Sequence, residues 1–386
     1  MTKGSVRVGG DGQRLHVLLD GPYGEANLGD NAIAYCMSRF LQMHGVDVTI
    51  SCLDPAYIEA SFGLKAVPML DFRRFETSVL KEIREFDAVI IGGGQQLKEY
   101  RIPNPLVGMF ARVCHMARAA EMQGIPFVAW SVGLDWPISA IAKVMARRYL
   151  GGRNATLILR DRVSFERVAR LFYDKPCQVL QNKDAAFMLP ALLQEAELGG
   201  NRHGDSVSPE KRLLICPSVI ENDGALARLI DLCVVAAQEG YEVRGWHSEI
   251  RANYDPRVRE IAAWDSIPGF RWLPPDPIDT PSVAELIRSA SIVVTTRMHP
   301  AIIAVSQCVP AYGIATNGKM RSVFEELMLP YTNSDELEAL SFTDILRHDF
   351  RTCFARAAAF REEAELGGLQ VLRAIRGQTS ATTDVS

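Results

Sequence analysis

Short apolar runs alternate with helix-patterned segments along most of the chain, and the rhythm breaks once. "RLHVLLD" (14–20) reads as a buried strand, "NAIAYCMSRFLQMHG" (31–45) has helical spacing with a glycine stop, and "VDVTISC" (46–52) is strand-like again. "DAVIIGGG" (87–94), "IPFVAWSVG" (125–133), "ATLILRD" (155–161) and "CQVLQNKD" (177–184) continue the series, with helical stretches between them. Residues 191–211, "ALLQEAELGGNRHGDSVSPEK", are polar and carry Gly, Ser and Pro, the composition of a linker. The rhythm resumes with "RLLICPS" (212–218), "YEVRGWH", "SIVVTT" (291–296) and "VPAYGIA". Strands alternating with helices pair in parallel, so the expected fold class is α/β: two Rossmann-like doubly wound domains facing a cleft. The expected division is 14–190 and 212–345 for the two domains, 191–211 for the linker, 346–375 for C-terminal helices and 376–386 for a disordered tail.

Composition removes several function classes. A net charge of −4 lacks the basic footprint of a nucleic-acid binder. The eight cysteines are scattered with no CxxC pair, and several sit inside apolar runs, as reduced core thiols of a cytoplasmic protein do. No histidine–carboxylate cluster has metal-ligand spacing, so no metal is expected. The first residues lack an apolar signal-peptide core, and no run is long enough to span a bilayer.

Ligands of doubly wound sheets bind beyond the carboxyl ends of the strands, and it is there that this chain keeps its polar residues. "SIVVTT" runs into Arg297-Met298-His299-Pro300 and then into the helical "PAIIAVSQC". Pro300 suits the first helical position, which would set His299 near the N-cap, where free N–H groups and the macrodipole attract anions. Arg297 adds a planar fork that matches phosphate or carboxylate. A polar turn with a structural histidine accounts for the same residues. "LDGPYGEANLGDNAIAY" sets Asn27, Gly29 and Asp30 between a strand and its helix, where either polar residue could serve merely as an N-cap. "IIGGGQQL" sets Gly92, Gly93 and Gly94 at another strand end, in neither a dinucleotide nor a P-loop spacing. "LILRDRVSFERV" brings Arg160 and Asp161, with Ser164 as a helix cap, and a buried Arg–Asp pair is the alternative reading there. "NKDAAFML" brings Asp184.

The joint order of these motifs resembles the polysaccharide pyruvyltransferase family. The resemblance rests on "GPYGEANLGDNAI", "DAVIIGGGQQL", "SVGLDWP", "LRDRVSFERV", "DAAFML", "RMHPAIIAVSQCVPAYGI" and Lys319 in "NGKMRSVFEEL", and it covers roughly residues 15–330. It implies a GT-B-like fold and transfer of a pyruvyl group from phosphoenolpyruvate to a sugar of a polysaccharide or its lipid-linked precursor, with no cofactor. Arg297 and His299 match the family's R-x-H motif, Arg160 its RD arginine, and Lys319 a basic position after the last strand. Arg160, Arg297 and Lys319 are therefore expected to bind phosphoenolpyruvate. His299 is the expected general acid and Asp30 the general base. Asn27, Gly29, Gly93, Gly94 and Asp184 are assigned to the acceptor, on the N-terminal side. Asn31 departs from the family, which commonly carries an acidic residue there, and "GIATNGKM" lacks the tyrosine that usually leads into the lysine.

A GT-B glycosyltransferase using a nucleotide sugar is the alternative, since the same helix start and arginines could hold a diphosphate. A non-catalytic sugar or phosphate binder is the second. Residues 101–153 carry Arg101, Arg112, Arg118, Lys143, Arg147, Arg148 and Arg153 against Glu121 and Asp135. That excess raises the expectation of peripheral contact with an anionic inner membrane face, against the plainer one of a solvated helix surface.

Overall fold

The computed structural model describes residues 14–24, 27–69, 83–99, 108–134, 137–198, 211–217, 223–248, 261–273, 279–333, 336 and 341–377. Two compact units emerge. The first comprises residues 1–25, 33–185 and 362–386, and the second residues 26–32 and 186–361.

The first unit is built on β1 (His16–Asp20), α1 (Leu28–Met43), β2 (Asp47–Cys52), α2 (Pro55–Phe62), β3 (Ala66–Pro68), β4 (Ala88–Gly92), α3 (Met109–Gln123), β5 (Phe127–Val132), α4 (Ala140–Tyr149), β6 (Ala155–Leu159), α5 (Arg162–Leu171) and β7 (Gln178–Gln181). The first turn of α1 groups with the second unit and the rest with the first. The strands form one parallel sheet in the order β3-β2-β1-β4-β5-β6-β7. β4 and β5 are buried at every position, as a parallel sheet covered on both faces requires, whereas the edge strands β3 and β7 are only half-buried. Cap residues set the helix starts: Asp54 caps α2 ahead of Pro55, Ser139 caps α4 and Asp161 caps α5.

The second unit contains α6 (Leu189–Leu198), β8 (Arg212–Cys216), α7 (Asp223–Gln238), β9 (Glu242–Gly245), β10 (Arg271–Trp272), α8 (Thr280–Arg288), β11 (Ile292–Thr295), α9 (Met298–Ser306), β12 (Ala311–Ala315), α10 (Gly318–Leu327), β13 (Tyr331–Asn333) and α11 (Phe342–Arg347). Its sheet is also parallel, in the order β10-β9-β8-β11-β12-β13. Both sheets thus reverse direction once, between β1 and β4 in the first and between β8 and β11 in the second. Those reversals are the topological switch points where open α/β sheets leave a crevice.

Two expectations need adjustment. The stretch 191–211 is helical through Leu198, as the body of α6, and its residues 199–210 lie outside the described residues. The C-terminal helices begin at Phe342, and the last of them, α12 (Arg351–Ile375), groups with the second unit up to Arg361 and with the first from Glu362. Of the expected tail, residues 378–386 lie outside the described residues.

The division of α12 has a local cause in the first unit. A Cβ on Gly367 would lie 2.4 Å from Asn182 Cγ, and one on Gly368 would lie 2.4 Å from Phe40 Cε1. Asn182 Nδ2 also donates to the Glu363 carbonyl at 2.7 Å. Two mid-helix glycines therefore bring the α12 backbone against the first unit.

Candidate functional site

β11 ends at Thr295, and its hydroxyl secures the turn into α9. Thr295 Oγ1 accepts from the Arg297 N–H at 2.9 Å and donates to the Arg297 carbonyl at 3.1 Å. Arg297 is the N-cap of α9 and contributes no side-chain cap bond, so Met298, His299 and Pro300 are the first three helical residues. His299 is therefore the second residue of the helix and Pro300 the third, deeper in the first turn than the sequence suggested. Proline is still at home there, because the opening N–H groups of a helix have no partner within it. The carbonyl of Cys216, at the end of the neighbouring β8, accepts from Thr296 N at 3.1 Å. Arg297 and His299 thus stand at the switch point of the second sheet. Lys319 occupies the first turn of α10, beyond the end of the adjacent β12, with Asn317 as N-cap.

The "NLGD" segment belongs to this same unit. Helix α1 begins three residues earlier than its apolar periodicity implied, so Gly29 and Asp30 are helical and Asn27 supplies the cap. Asn27 Oδ1 accepts from Gly29 N at 3.0 Å, its carbonyl accepts from Asn31 N at 3.1 Å, and its Nδ2 donates to Asp30 Oδ2 at 2.7 Å. Leu28 N donates to the Ser248 carbonyl, just past β9, at 2.8 Å. Gly29 meets His299 directly: a Cβ there would lie 2.1 Å from His299 Nδ1. The segment assigned to the acceptor side is thus packed on the R-x-H histidine.

Arg160 and Asp184 lie in the first unit and partner each other. Arg160 Nη1 donates to Asp184 Oδ2 at 3.0 Å, with both side chains almost fully buried. One was expected on the donor and the other on the acceptor, and the ion pair was the alternative reading, with Asp161 as the expected partner. Asp161 instead caps α5, accepting from Ser164 N at 2.7 Å, so Ser164 is not the cap. The Ser164 hydroxyl binds Asp161 and accepts from Leu134 N at 2.9 Å. Arg160 packs against Gly133, where a Cβ would come within 3.1 Å of Nε, and its buried Nη2 has no hydrogen-bond partner among the described residues. Gly93 has a positive φ of 62°, and the space of its missing side chain is taken by Ile33 at 2.4 Å. Gly94 also has positive φ, and its carbonyl accepts from Gly133 N. Gly93 thus serves the packing of the first sheet.

Several polar residues here escaped the sequence reading. Ser131 sits at φ 56°, where the parallel register slips between Trp130 and Val132, and its hydroxyl accepts from Ala185 N at 3.0 Å. Holding a non-glycine residue there costs about 1–3 kcal/mol. Lys183 is buried beside it, and the "NKD" triplet was the only hint. Asp20, Ser51, Gln96 and Arg112 form a buried network around the first switch point, with Arg112 Nη1 at 2.6 Å from Asp20 Oδ2. In the second unit the Thr295 hydroxyl lies 3.2 Å from the Cys216 carbonyl, and burial pushes the Cys216 thiol pKa upward.

The basic stretch 101–153 is less of a surface than its charge count implied. Arg112 is buried in its ion pair, Arg147 binds Asp174 at 2.6 Å, and Arg101 lies outside the described residues. What α4 does expose is Ile141, Val144 and Arg148 along one side. No helix among the described residues is long and apolar enough to cross a membrane. None of the described residues form a group of three or more His, Cys, Asp or Glu able to hold a metal.

Two Rossmann-like units with this strand order define a protein of GT-B-like fold. Solved structures agree. A putative UDP-N-acetylglucosamine 2-epimerase from Listeria monocytogenes aligns with TM-score 0.59 and 16% identity over 95% of this chain and 96% of its own. A glycosyltransferase from Rickettsia africae gives 0.56 and 12% over 96% and 100%. The UDP-GlcNAc 2-epimerase of Neisseria meningitidis, bound to UDP-GlcNAc, gives 0.56 and 12% over 94% and 99%. At these identities the likeness is one of fold. The chain belongs to the polysaccharide pyruvyl transferase family, whose model matches residues 27–318, from the cap of α1 to the start of α10. No curated protein sequence matches it.

Proposed function

We propose that this family member transfers a pyruvyl group from phosphoenolpyruvate to two hydroxyls of a sugar in a polysaccharide or its lipid-linked precursor, forming a cyclic ketal and releasing phosphate. The observation that carries the reading is the start of α9: an arginine cap and a histidine in the first turn, at the switch point of the second sheet. Phosphoenolpyruvate carries a carboxylate and a phosphate, and Arg297, the helix N-terminus and Lys319 offer complementary charge in one unit. His299 protonates the methylene carbon, and the cation that forms at C2 is stabilised by its phosphate oxygen. A sugar hydroxyl adds to C2 and loses its proton to a base, for which Asp30 is the candidate in this unit. The C2–O bond to phosphate then breaks, and a second hydroxyl adds and loses its proton, closing the ketal. General acid help is worth roughly a hundred- to ten-thousandfold, and cations on the leaving phosphate add electrostatic stabilisation. The scheme needs no cofactor.

Phosphate release from phosphoenolpyruvate in the presence of candidate sugars tests the assignment. His299→Ala is expected to lower turnover by at least about a hundredfold, and Arg297→Ala to raise KM for phosphoenolpyruvate as well. Unchanged turnover in His299→Ala would end the general-acid role. Release of a nucleoside diphosphate from a nucleotide sugar, without use of phosphoenolpyruvate, would favour the glycosyltransferase reading. A lipid-linked acceptor would be met at a membrane surface, and the exposed Ile141, Val144 and Arg148 of α4 suit such contact. Sedimentation with liposomes that shows no dependence on anionic lipid would remove that part.

A further inference from the structure

We infer that the first turn of α1 is a positioning element for His299, and that Gly29 is the residue that makes it one. The role rests on His299 being the proton donor proposed above. Gly29 is helical and does not adopt a left-handed φ, so backbone freedom does not call for a glycine here. Helix propensity argues against it, since alanine is the better helix former at such a position. The ring supplies the reason. A Cβ on Gly29 would lie 2.1 Å from Nδ1, 2.6 Å from Cε1 and 2.8 Å from Cγ of His299, inside any permitted contact. The imidazole therefore lies with its Nδ1 edge against the Gly29 backbone, and Nε2 is the nitrogen directed away from that contact.

Such a seat works only if the wall is fixed, and the wall is tied down. Asn27 caps the helix start through Gly29 N, and Leu28 N is bonded to the Ser248 carbonyl past β9. Trp246 N, two residues before Ser248, donates to the Ile215 carbonyl of β8 at 2.8 Å, and the carbonyl of the next residue, Cys216, accepts from Thr296 N, one residue before Arg297. Hydrogen bonds and short stretches of chain thus connect the wall, through three neighbouring strand ends, to the segment that carries the histidine. All of these residues belong to the second unit. "NLGD" and "R-x-H" are, on this reading, the two halves of one device: the first seats the ring that the second supplies.

The test is a double-variant cycle on the full chain with Gly29→Ala, His299→Ala and the two combined. Gly29→Ala is expected to lower Tm on the native background. In the His299→Ala background, where the ring is gone, the same change is expected to leave Tm unchanged or raise it. In spectra of histidine-labelled protein, the resonance that disappears in His299→Ala should be displaced in Gly29→Ala, while those of the other histidines stay. For the reaction, kcat should fall by about a hundredfold, the scale of an ångström-sized misplacement, with KM for phosphoenolpyruvate within about threefold. If Gly29→Ala fails to fold, folding of the double variant supports the seat, and its failure overturns it. Equal loss of Tm in both backgrounds, or an unmoved His299 resonance, would overturn the positioning role. Full turnover by His299→Ala would remove the general acid instead, and the melts and spectra would still decide the seat.

Discussion

At the scale of single residues, burial decides which charged groups are committed to structure. Arg160 and Asp184 leave water almost completely and satisfy each other at 3.0 Å. Removing one member of such a pair strands the other, which costs about 3–5 kcal/mol. Asp184→Ala is therefore expected to lose stability on that scale in a denaturant titration, and a loss below about 1 kcal/mol would show that the pair is not structural. The thiols make a second case. Burial pushes Cys114 up to about 12, and burial with the nearby Asp54 carboxylate pushes Cys52 up to about 12. Half-buried Cys177 is raised to about 11. Cys308 is the exposed member of the eight. A thiol reagent at neutral pH should modify Cys308 alone in the native protein, and rapid labelling of a second cysteine, read by mass spectrometry, would contradict this. The arginines, the histidine and the cysteines were all readable as residue types in the sequence. Their partners were not, because Arg160 finds Asp184 across a strand connection and the nearer Asp161 is drawn into a helix cap.

At the scale of elements, the apolar rhythm located the inner strands, since parallel strands buried on both faces leave unbroken hydrophobic runs, but not the short edge strands β3, β10 and β13. Helix starts were harder. Periodicity begins only when a helix turns its apolar face inward, and the polar first turn of α1 precedes that point. "NLGD" was accordingly read as loop, and its contact with His299, far along the chain, left no local trace. α12 was expected as a helix, but the reason for the two glycines of "ELGGLQ" was not legible, since Asn182 and Phe40, which stand where their side chains would go, are distant in sequence. Alanine would raise intrinsic helix propensity at Gly368 by about 1 kcal/mol. Overpacking against Phe40 is expected to outweigh that, so Gly368→Ala should destabilise by about 1–3 kcal/mol in thermal or chemical melts. Stabilisation by this substitution would mean that the close approach is not kept in solution.

At the scale of the whole molecule, two sheets with the same strand order carry different equipment. The first buries its polar residues in ion pairs and networks around β1, β4, β5 and β6. The second sets Arg297, His299 and Lys319 at neighbouring strand ends and borrows the start of α1 to seat the histidine. The fold class and the place of R-x-H between a strand and a helix were legible because each arises from local pattern, and the helix turn packed on His299 was not because it is a property of chain path. Use of phosphoenolpyruvate as the donor, proposed for the second unit, is decided by the product. Mass spectrometry of the sugar product, after incubation of the full chain with phosphoenolpyruvate and a panel of acceptors, tests it most directly. A product heavier by one pyruvyl ketal, with one phosphate released for each, is expected with the native protein and not with His299→Ala. Glycosyl transfer from a nucleotide sugar with phosphoenolpyruvate left intact would contradict it.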